Sequence, residues 1–257
     1  MIIYKTQKEI ELMAEGGKIL AEVLKKVSAE AKPGVGIKKL NELAENLILA
    51  SGSRPSFKNY KTSPTDRPFP TALCASINNE IVHGPADRSI ILESGDIIGL
   101  DLGVEYKGYF TDMAVTLAVG KISPEAEKLL IVTRDALALG IKQVREGNTL
   151  ADIGSAIQTH AEKHGFSVVR ELVGHGVGKN VHEDPRVPNY FTEEAKSIPI
   201  KKGMTIAIEP MVNIGDWPIK LADDSWTFIT ADGSLSAQFE HTVALDHNGK
   251  TRILTQF

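Results

Sequence analysis

The chain has 257 residues with 42% hydrophobic content, enough to bury one large core or two smaller ones. Its net charge of -4 gives no electrostatic basis for gripping nucleic acid or an anionic membrane surface. A single cysteine, Cys74, excludes an internal disulfide framework and a thiolate zinc cluster, so any metal is held by oxygen and nitrogen.

Residues 1–6 carry neither a basic nor an apolar leader, and no later run approaches the roughly 18 apolar residues of a membrane span, so the expected location is the cytoplasm. Thr6-Gln7-Lys8-Glu9 has the pattern of a capping box, and Ile10, Met13, Leu20, Val23, Leu24 and Val27 then recur at helical spacing. This first helix is expected to end near Lys32-Pro33-Gly34. A second, with Ile37, Leu40, Ala44 and Ile48 inward, is expected to stop at Gly52. Residues 53–70 contain Pro55, Pro64, Pro68 and Pro70 among polar neighbours and read as a long surface loop.

Residues 97–104 and 109–117 read as two antiparallel strands joined at Lys107-Gly108. Ser123-Pro124-Glu125 opens a third helix, with serine as the cap and proline in the first turn. A fourth buries Leu150, Ile153, Ile157 and Ala161 and ends at Gly165. The spacing from Gly34 to Gly52 equals that from Gly147 to Gly165, and Ile37, Leu40 and Ala44 fall opposite Leu150, Ile153 and Ile157. This implies a duplication: a single domain over residues 1–257, of fold class α+β, with two pseudo-symmetric halves at about 1–120 and 121–257 whose strands meet at the middle.

Four carboxylates stand out because each interrupts an apolar, strand-like run: Asp101, Asp112, Glu209 and Glu240. A lone aspartate is ordinarily a turn or edge-strand residue, but an unpaired carboxylate inside an apolar strand is costly to bury and disfavoured by β-propensity. With Lys107-Gly108 as the turn, Asp112 lies across from Gly103, so Asp101 and Asp112 form a diagonal pair on one face. A slip of one residue would put them on opposite faces. Four converging carboxylates need protons or cations to offset their repulsion, and an oxygen-rich set with one histidine suits Mn, Fe(II), Co or Zn.

His175, flanked by Gly174 and Gly176, is the candidate imidazole ligand, because the glycines let the backbone pass close to a neighbour. His83 and His182 are further polar candidates. His160 and His164 are four apart on a helix, a spacing that can bind zinc, but no zincin motif surrounds them and they read as structural. His241 and His247 also read as non-ligands.

These segments occur in an order that resembles the type I methionine aminopeptidases: Cys74-Ala75-Ser76-Ile77-Asn78 through Val82-His83-Gly84, the aspartates eleven apart, Gly174-His175-Gly176-Val177-Gly178, His182-Glu183-Asp184-Pro185, Ile208-Glu209-Pro210-Met211 and Gln238-Phe239-Glu240-His241-Thr242. The resemblance spans nearly the whole chain and implies the pita-bread fold, a pseudo-twofold antiparallel sheet with helices on its outer face. It implies two divalent ions bridged by Asp112 and Glu240, with Asp101 completing one and His175 with Glu209 completing the other. Glu209 then shuttles the proton of the attacking water, His182 stabilises the oxyanion, and His83 hydrogen-bonds the scissile amide. Tyr60, Phe69, Cys74, Val181 and Trp226 form the methionine pocket. The implied substrate is the N-terminal methionine of a nascent polypeptide with a small second residue. The implied state is a monomer that meets the ribosome transiently, with no nucleic-acid motif.

One departure from the family pattern is the longer segment 61–68 between Tyr60 and Phe69. Two other readings remain open. A proline-directed aminopeptidase or dipeptidase on the same fold would show similar ligands, although such relatives usually carry a further N-terminal domain. A non-catalytic binding module would usually have lost ligands that are all present here.

Overall fold

A computed structural model gives the structure of the protein and describes residues 1–61, 63, 65 and 67–256. Thr62, Pro64 and Asp66, within the expected long loop, lie outside the described residues. Helix α1 (Gln7–Glu30) begins as expected: the Thr6 hydroxyl accepts from Glu9 N at 3.3 Å while the Glu9 carboxylate accepts from Thr6 N at 2.7 Å. Helix α2 (Ile37–Ala50) follows. Helices α3 (Pro124–Ile141), α4 (Leu150–Lys163) and the short α5 (Glu193–Lys196) belong to the second part of the chain. Gly52 and Gly165, just past α2 and α4, have φ of 77° and 85°, the left-handed geometry that glycine adopts at low cost.

The first strands are β1 (Arg54–Pro55), β2 (Leu73–Ile77), β3 (Glu80–Val82), β4 (Ile97–Tyr106) and β5 (Tyr109–Ala118). The second set comprises β6 (Ser167–Val168), β7 (Gly174–Gly176), β8 (Glu183–Val187), β9 (Thr205–Ile208) and β10 (Met211–Asn213). It continues with β11 (Ile219–Leu221), β12 (Phe228–Thr230), β13 (Ser236–Gln238), β14 (His241–Leu245) and β15 (Thr251–Ile253). All their pairings are antiparallel. Strand β4 pairs with β5 on one edge and with β2 and β1 on the other, while β15, β14, β9, β7 and β8 lie side by side in a second sheet. Helices α1 and α2 bury Leu20, Leu24, Leu40 and Ile48 against β2, β4 and β5; α3 and α4 bury Leu129, Ile153 and Ile157 against strands of the second half.

Two threonines join the sheets. Thr242 Oγ1 accepts from Asp112 N at 2.8 Å and donates to Asp112 O at 2.9 Å, and Thr116 Oγ1 accepts from Gln238 N at 2.9 Å and donates to Gln238 O at 2.7 Å. Glu240 N adds a bond to Ala114 O at 2.9 Å. Strand β5 is therefore stitched to β13 and β14 at two of the anomalous carboxylates, Asp112 and Glu240.

Of the described residues in 53–70, expected on the surface, Lys58, Asn59, Lys61, Thr65, Arg67, Pro68 and Pro70 are exposed, but both flanks of the segment pack inward. Arg54 and Pro55 extend the sheet beside β4, and Phe57 and Phe69 are buried. Backbone bonds between Asn59 and Phe69 and between Phe69 and Tyr60, each 2.8 Å, close it into a hairpin-like loop. Burial of the two phenylalanines holds these flanks in despite the polar composition that made the segment read as solvent-exposed. Among the described residues no helix is long and apolar enough to cross a membrane.

The α3 cap offers a direct check on this fold. Ser123 Oγ accepts from Ala126 N at 3.1 Å, so Ser123→Ala is expected to cost about 1 kcal/mol. A fall of about 2–4 °C in the circular-dichroism melting midpoint is the expected reading.

Candidate metal centre

Strand β4 meets β5 with Asp101 opposite Ala114 and Asp112 opposite Gly103, the register expected from a turn at Lys107-Gly108. Lys107 and Gly108 both have positive φ, 50° and 84°. The two aspartates therefore share a face, and both are buried. Asp112 Oδ1 accepts from Met113 N at 3.0 Å, whereas Asp101 Oδ1 is buried with no hydrogen-bond partner.

Glu209 and Glu240 are placed differently from the expectation that each lies inside a strand. Glu209 follows the end of β9 and precedes β10; Glu240 falls between β13 and β14. Ile208 pairs with His241 in one sheet and Met211 with Gln238 in another, so both chains change sheets at the carboxylates. Pro210, which lacks an N–H, suits this break in the ladder. Gln238 Nε2 holds Glu209 Oε2 at 3.2 Å, and Asn189 Nδ2 holds the Glu209 carbonyl at 3.0 Å. Glu240 Oε1, like Asp101 Oδ1, is buried without a partner.

His175 is central in β7, between β8 and β9. A Cβ on Gly174 would overlap the Ala207 carbonyl and one on Gly176 the Asp184 carbonyl, so the close approach inferred from the glycines is real. The His175 Nδ1–H donates to Gly176 O at 2.8 Å, because a carbonyl can only accept. That leaves the Nε2 lone pair directed into the cluster, 3.6 Å from Glu209 Oε1 and 3.9 Å from Asp112 Oδ2. Ligand atoms of Asp112, His175 and Glu240 all lie within 4.8 Å of one another.

Burial and then mutual repulsion raise the pKa values of Asp112, Glu209 and Glu240 well above the ordinary carboxyl range. Burial raises Asp101 too, opposed by its hydrogen bond with Asp112. Burial, with His182 nearby, lowers His175 to about 3, so its imidazole is neutral and available as a ligand. Cys74, opposite Asp101 on β2, is kept a thiol by burial and by the negative charge of Asp101. Orphaned carboxylate oxygens, a free imidazole nitrogen and no thiolate fit divalent ions that accept oxygen and nitrogen donors.

The cluster forms one wall of a cavity of about 390 Å³. Tyr60, Phe69, Cys74 and Trp226 line it, and Val181 packs with them. Phe57, Leu221, Ser225 and Phe228 line it as well and were not anticipated. Phe57 carried a signal, an aromatic residue within an otherwise polar segment. His83, just past β3 with φ of 62°, stacks edge-on against Phe228 at 5.7 Å, and burial lowers its pKa to about 4. The Nδ1 of His182 meets the Tyr60 hydroxyl at 2.7 Å, and its ring lies 4.4 Å from that of His175. A second cleft of about 520 Å³ shares His83, His175, His182 and Glu209 with the first.

The other histidines stand apart. His160 and His164 stack on α4, and His164 Nδ1 donates to the His160 carbonyl at 2.8 Å. His241 bonds Thr255 Oγ1 at 3.0 Å and His247 bonds the Lys5 carbonyl at 2.8 Å.

Residues 11–247 match Metallopeptidase family M24. The chain belongs to this family. It is 45% identical to a methionine aminopeptidase of Clostridium perfringens and 44% identical to methionine aminopeptidase 1 of Bacillus subtilis, in each case across 97% of both chains. The M24 chain also superposes on the crystal structure of methionine aminopeptidase from Thermotoga maritima with a TM-score of 0.93 and 40% identity over the whole of both chains. Prolidase from Pyrococcus furiosus shares the fold at 22% identity and a TM-score of 0.76, covering 99% of this chain and 66% of that one. The pita-bread architecture expected from the sequence is thus the one observed.

An M24 site with carboxyl pKa values raised by burial binds more protons when folded than when unfolded. Without ions, its contribution to stability therefore falls as pH rises from about 4 toward neutrality. Divalent ions bound there would displace those protons. Calorimetric titration with MnCl2 at pH 6.5 in buffers of different ionisation heat is expected to show proton release. At about a hundredfold excess over Kd each ion bound is expected to stabilise the fold by about 2.7 kcal/mol, a rise of about 5–10 °C in melting midpoint per ion.

Proposed function

We infer that the protein is a metal-dependent aminopeptidase that removes the N-terminal methionine from peptides and new polypeptides with a small second residue. One observation carries the inference: four carboxylates, three of them buried and two with unpartnered oxygens, line one wall of an apolar cavity together with His175, whose Nε2 is free. Full-length relatives named methionine aminopeptidase support the choice of substrate.

The proposed ligands are Asp101, Asp112, His175, Glu209 and Glu240, enough for two ions of Mn, Fe(II), Co or Zn. Ions bound there make water acidic enough to act as a nucleophile near neutral pH and polarise a peptide carbonyl. Glu209, with one oxygen held by Gln238, keeps the other free to take the proton of the attacking water. In the proposed arrangement the Tyr60 hydroxyl, 2.7 Å from His182 Nδ1, is the donor of that bond, and the His182 proton then stands on Nε2. That N–H is the donor proposed for the oxyanion, and His83, neutral at neutral pH, is the partner proposed for the scissile amide.

A free α-amine beside Asp101 explains why only a terminal residue is cut, since only that residue presents an amine and its own carbonyl together. Tyr60, Phe69, Cys74, Val181 and Trp226, joined by Phe57, offer the soft apolar walls that an unbranched thioether fills. We also propose that residues 1–120 and 121–257 are pseudo-symmetric halves with the site at their junction. The paired helices α1, α2 and α3, α4, with positive φ at Gly34, Gly52, Gly147 and Gly165, support this.

With Mn, Co or Fe(II) supplied, the protein is expected to release methionine from Met-Ala-Ser and to leave acetyl-Met-Ala-Ser intact. Preferential cleavage of Xaa-Pro peptides would assign it to proline-directed hydrolysis instead. Asp112→Asn and Glu240→Gln are each expected to lose about a hundredfold or more in kcat/KM and to bind less than the full metal complement by elemental analysis. Full turnover in either variant would remove these residues from the centre.

A further inference from the structure

Lysine is among the residues least often fully buried, yet the Lys5 side chain is 1% exposed, and the Glu183 side chain with which it forms an ion pair is 2% exposed. The Lys5 ammonium also donates to the Ile3 carbonyl at 3.0 Å. The backbone of Lys5 is fixed at both ends: its N–H donates to Gly203 O at 2.7 Å, and its carbonyl accepts from His247 Nε2 at 2.8 Å. The lysine is thus a stationary charge.

Glu183 has a second task. Its Oε1 accepts from the backbone N–H groups of Lys179 and Asn180, at 2.5 and 3.0 Å, so residues 178–183 wrap around this one carboxylate. Gly178, with φ of 152°, completes the fit, because a Cβ there would collide with the Lys5 side chain. The residue next to Glu183 in this wrapped segment is His182, whose ring reaches the Tyr60 hydroxyl and the cavity. Neither Lys5 nor Glu183 is part of the proposed chemistry. A buried ion pair stabilises a fold no better than an apolar pair of similar volume, but it tolerates few alternative geometries.

We propose that the Lys5–Glu183 ion pair is a positioning device for His182: the lysine fixes the carboxylate, the carboxylate fixes the turn, and the turn sets the angle at which the imidazole meets the substrate carbonyl. This rests on the aminopeptidase reading given above.

The test is a double-mutant cycle on kcat for Met-Ala-Ser, with Lys5→Met in the wild type and in His182→Ala. K5M is expected to lower kcat by about tenfold or more in the wild-type background with metal content unchanged. In H182A it is expected to cost less than about twofold, because the group it acts through is already gone. Should K5M fail to unfold cooperatively, the K5M/E183Q pair takes its place, since it leaves no unpaired charge and keeps an acceptor for the two N–H groups; the same comparison applies. Equal losses in the two backgrounds, or no loss in the wild type, overturn the proposal.

A second readout needs no turnover. The ring 15N signals of His182 in metal-free protein, assigned by their absence in H182A, are expected to shift in the Lys5 variant; unmoved signals overturn the proposal. A wild type that releases no methionine contradicts the aminopeptidase reading, and the ring signals then decide the role of the ion pair.

Discussion

Like charges held together out of water govern this molecule. Two carboxylates 4 Å apart repel by roughly 4 kcal/mol at an effective dielectric of 20, and Asp101, Asp112, Glu209 and Glu240 accumulate several such terms while losing hydration. A chain that only needed to fold would have no use for such a cluster. On the proposed reading, cations bound at this meeting point of sheets would offset the repulsion, and their binding free energy would add to that of folding. The pKa directions express the same physics: every carboxyl is pushed up, and the one imidazole is pushed down.

The architecture is arranged to hold that cluster rigidly. Asp101 and Asp112 stand on a two-stranded ribbon whose register is fixed by a turn of two positive-φ residues. Glu209 and Glu240 stand where two chains leave one sheet for another, and Thr116 and Thr242 bridge the seam with hydroxyls where the ladder does not. Each of the four carboxylates is thus carried by backbone that is bonded on at least one side. The apolar cavity borrows the aromatic residues of the segment 53–70, so the same wall that buries Phe57 and Phe69 shapes the space beside the carboxylates.

Much of this was legible in the sequence because local signals agreed with the final packing. The capping box at Thr6, the caps at Ser123 and Gly52, and the face shared by Asp101 and Asp112 follow from short-range rules that tertiary contacts left undisturbed. The glycines around His175 announced the close approach of neighbouring backbone. Other features were hidden because they are tertiary. Apolar neighbours made Glu209 and Glu240 look like strand residues, whereas a change of sheet has no local code apart from Pro210. Phe57 and Phe69 are buried although their neighbours in the sequence are mostly polar. The burial of Lys5 depends on a partner 178 positions away, which no periodicity reveals.

Every chemical role proposed for these residues requires divalent ions in this cluster. Crystals grown with MnCl2 and recorded near the manganese edge would test their presence most directly through anomalous difference density. Two strong peaks are predicted, both within coordination distance of Asp112 and Glu240, one also near Asp101 and the other near His175 and Glu209. Absence of density there, or peaks confined to surface carboxylates or to the His160 and His164 pair, would contradict it.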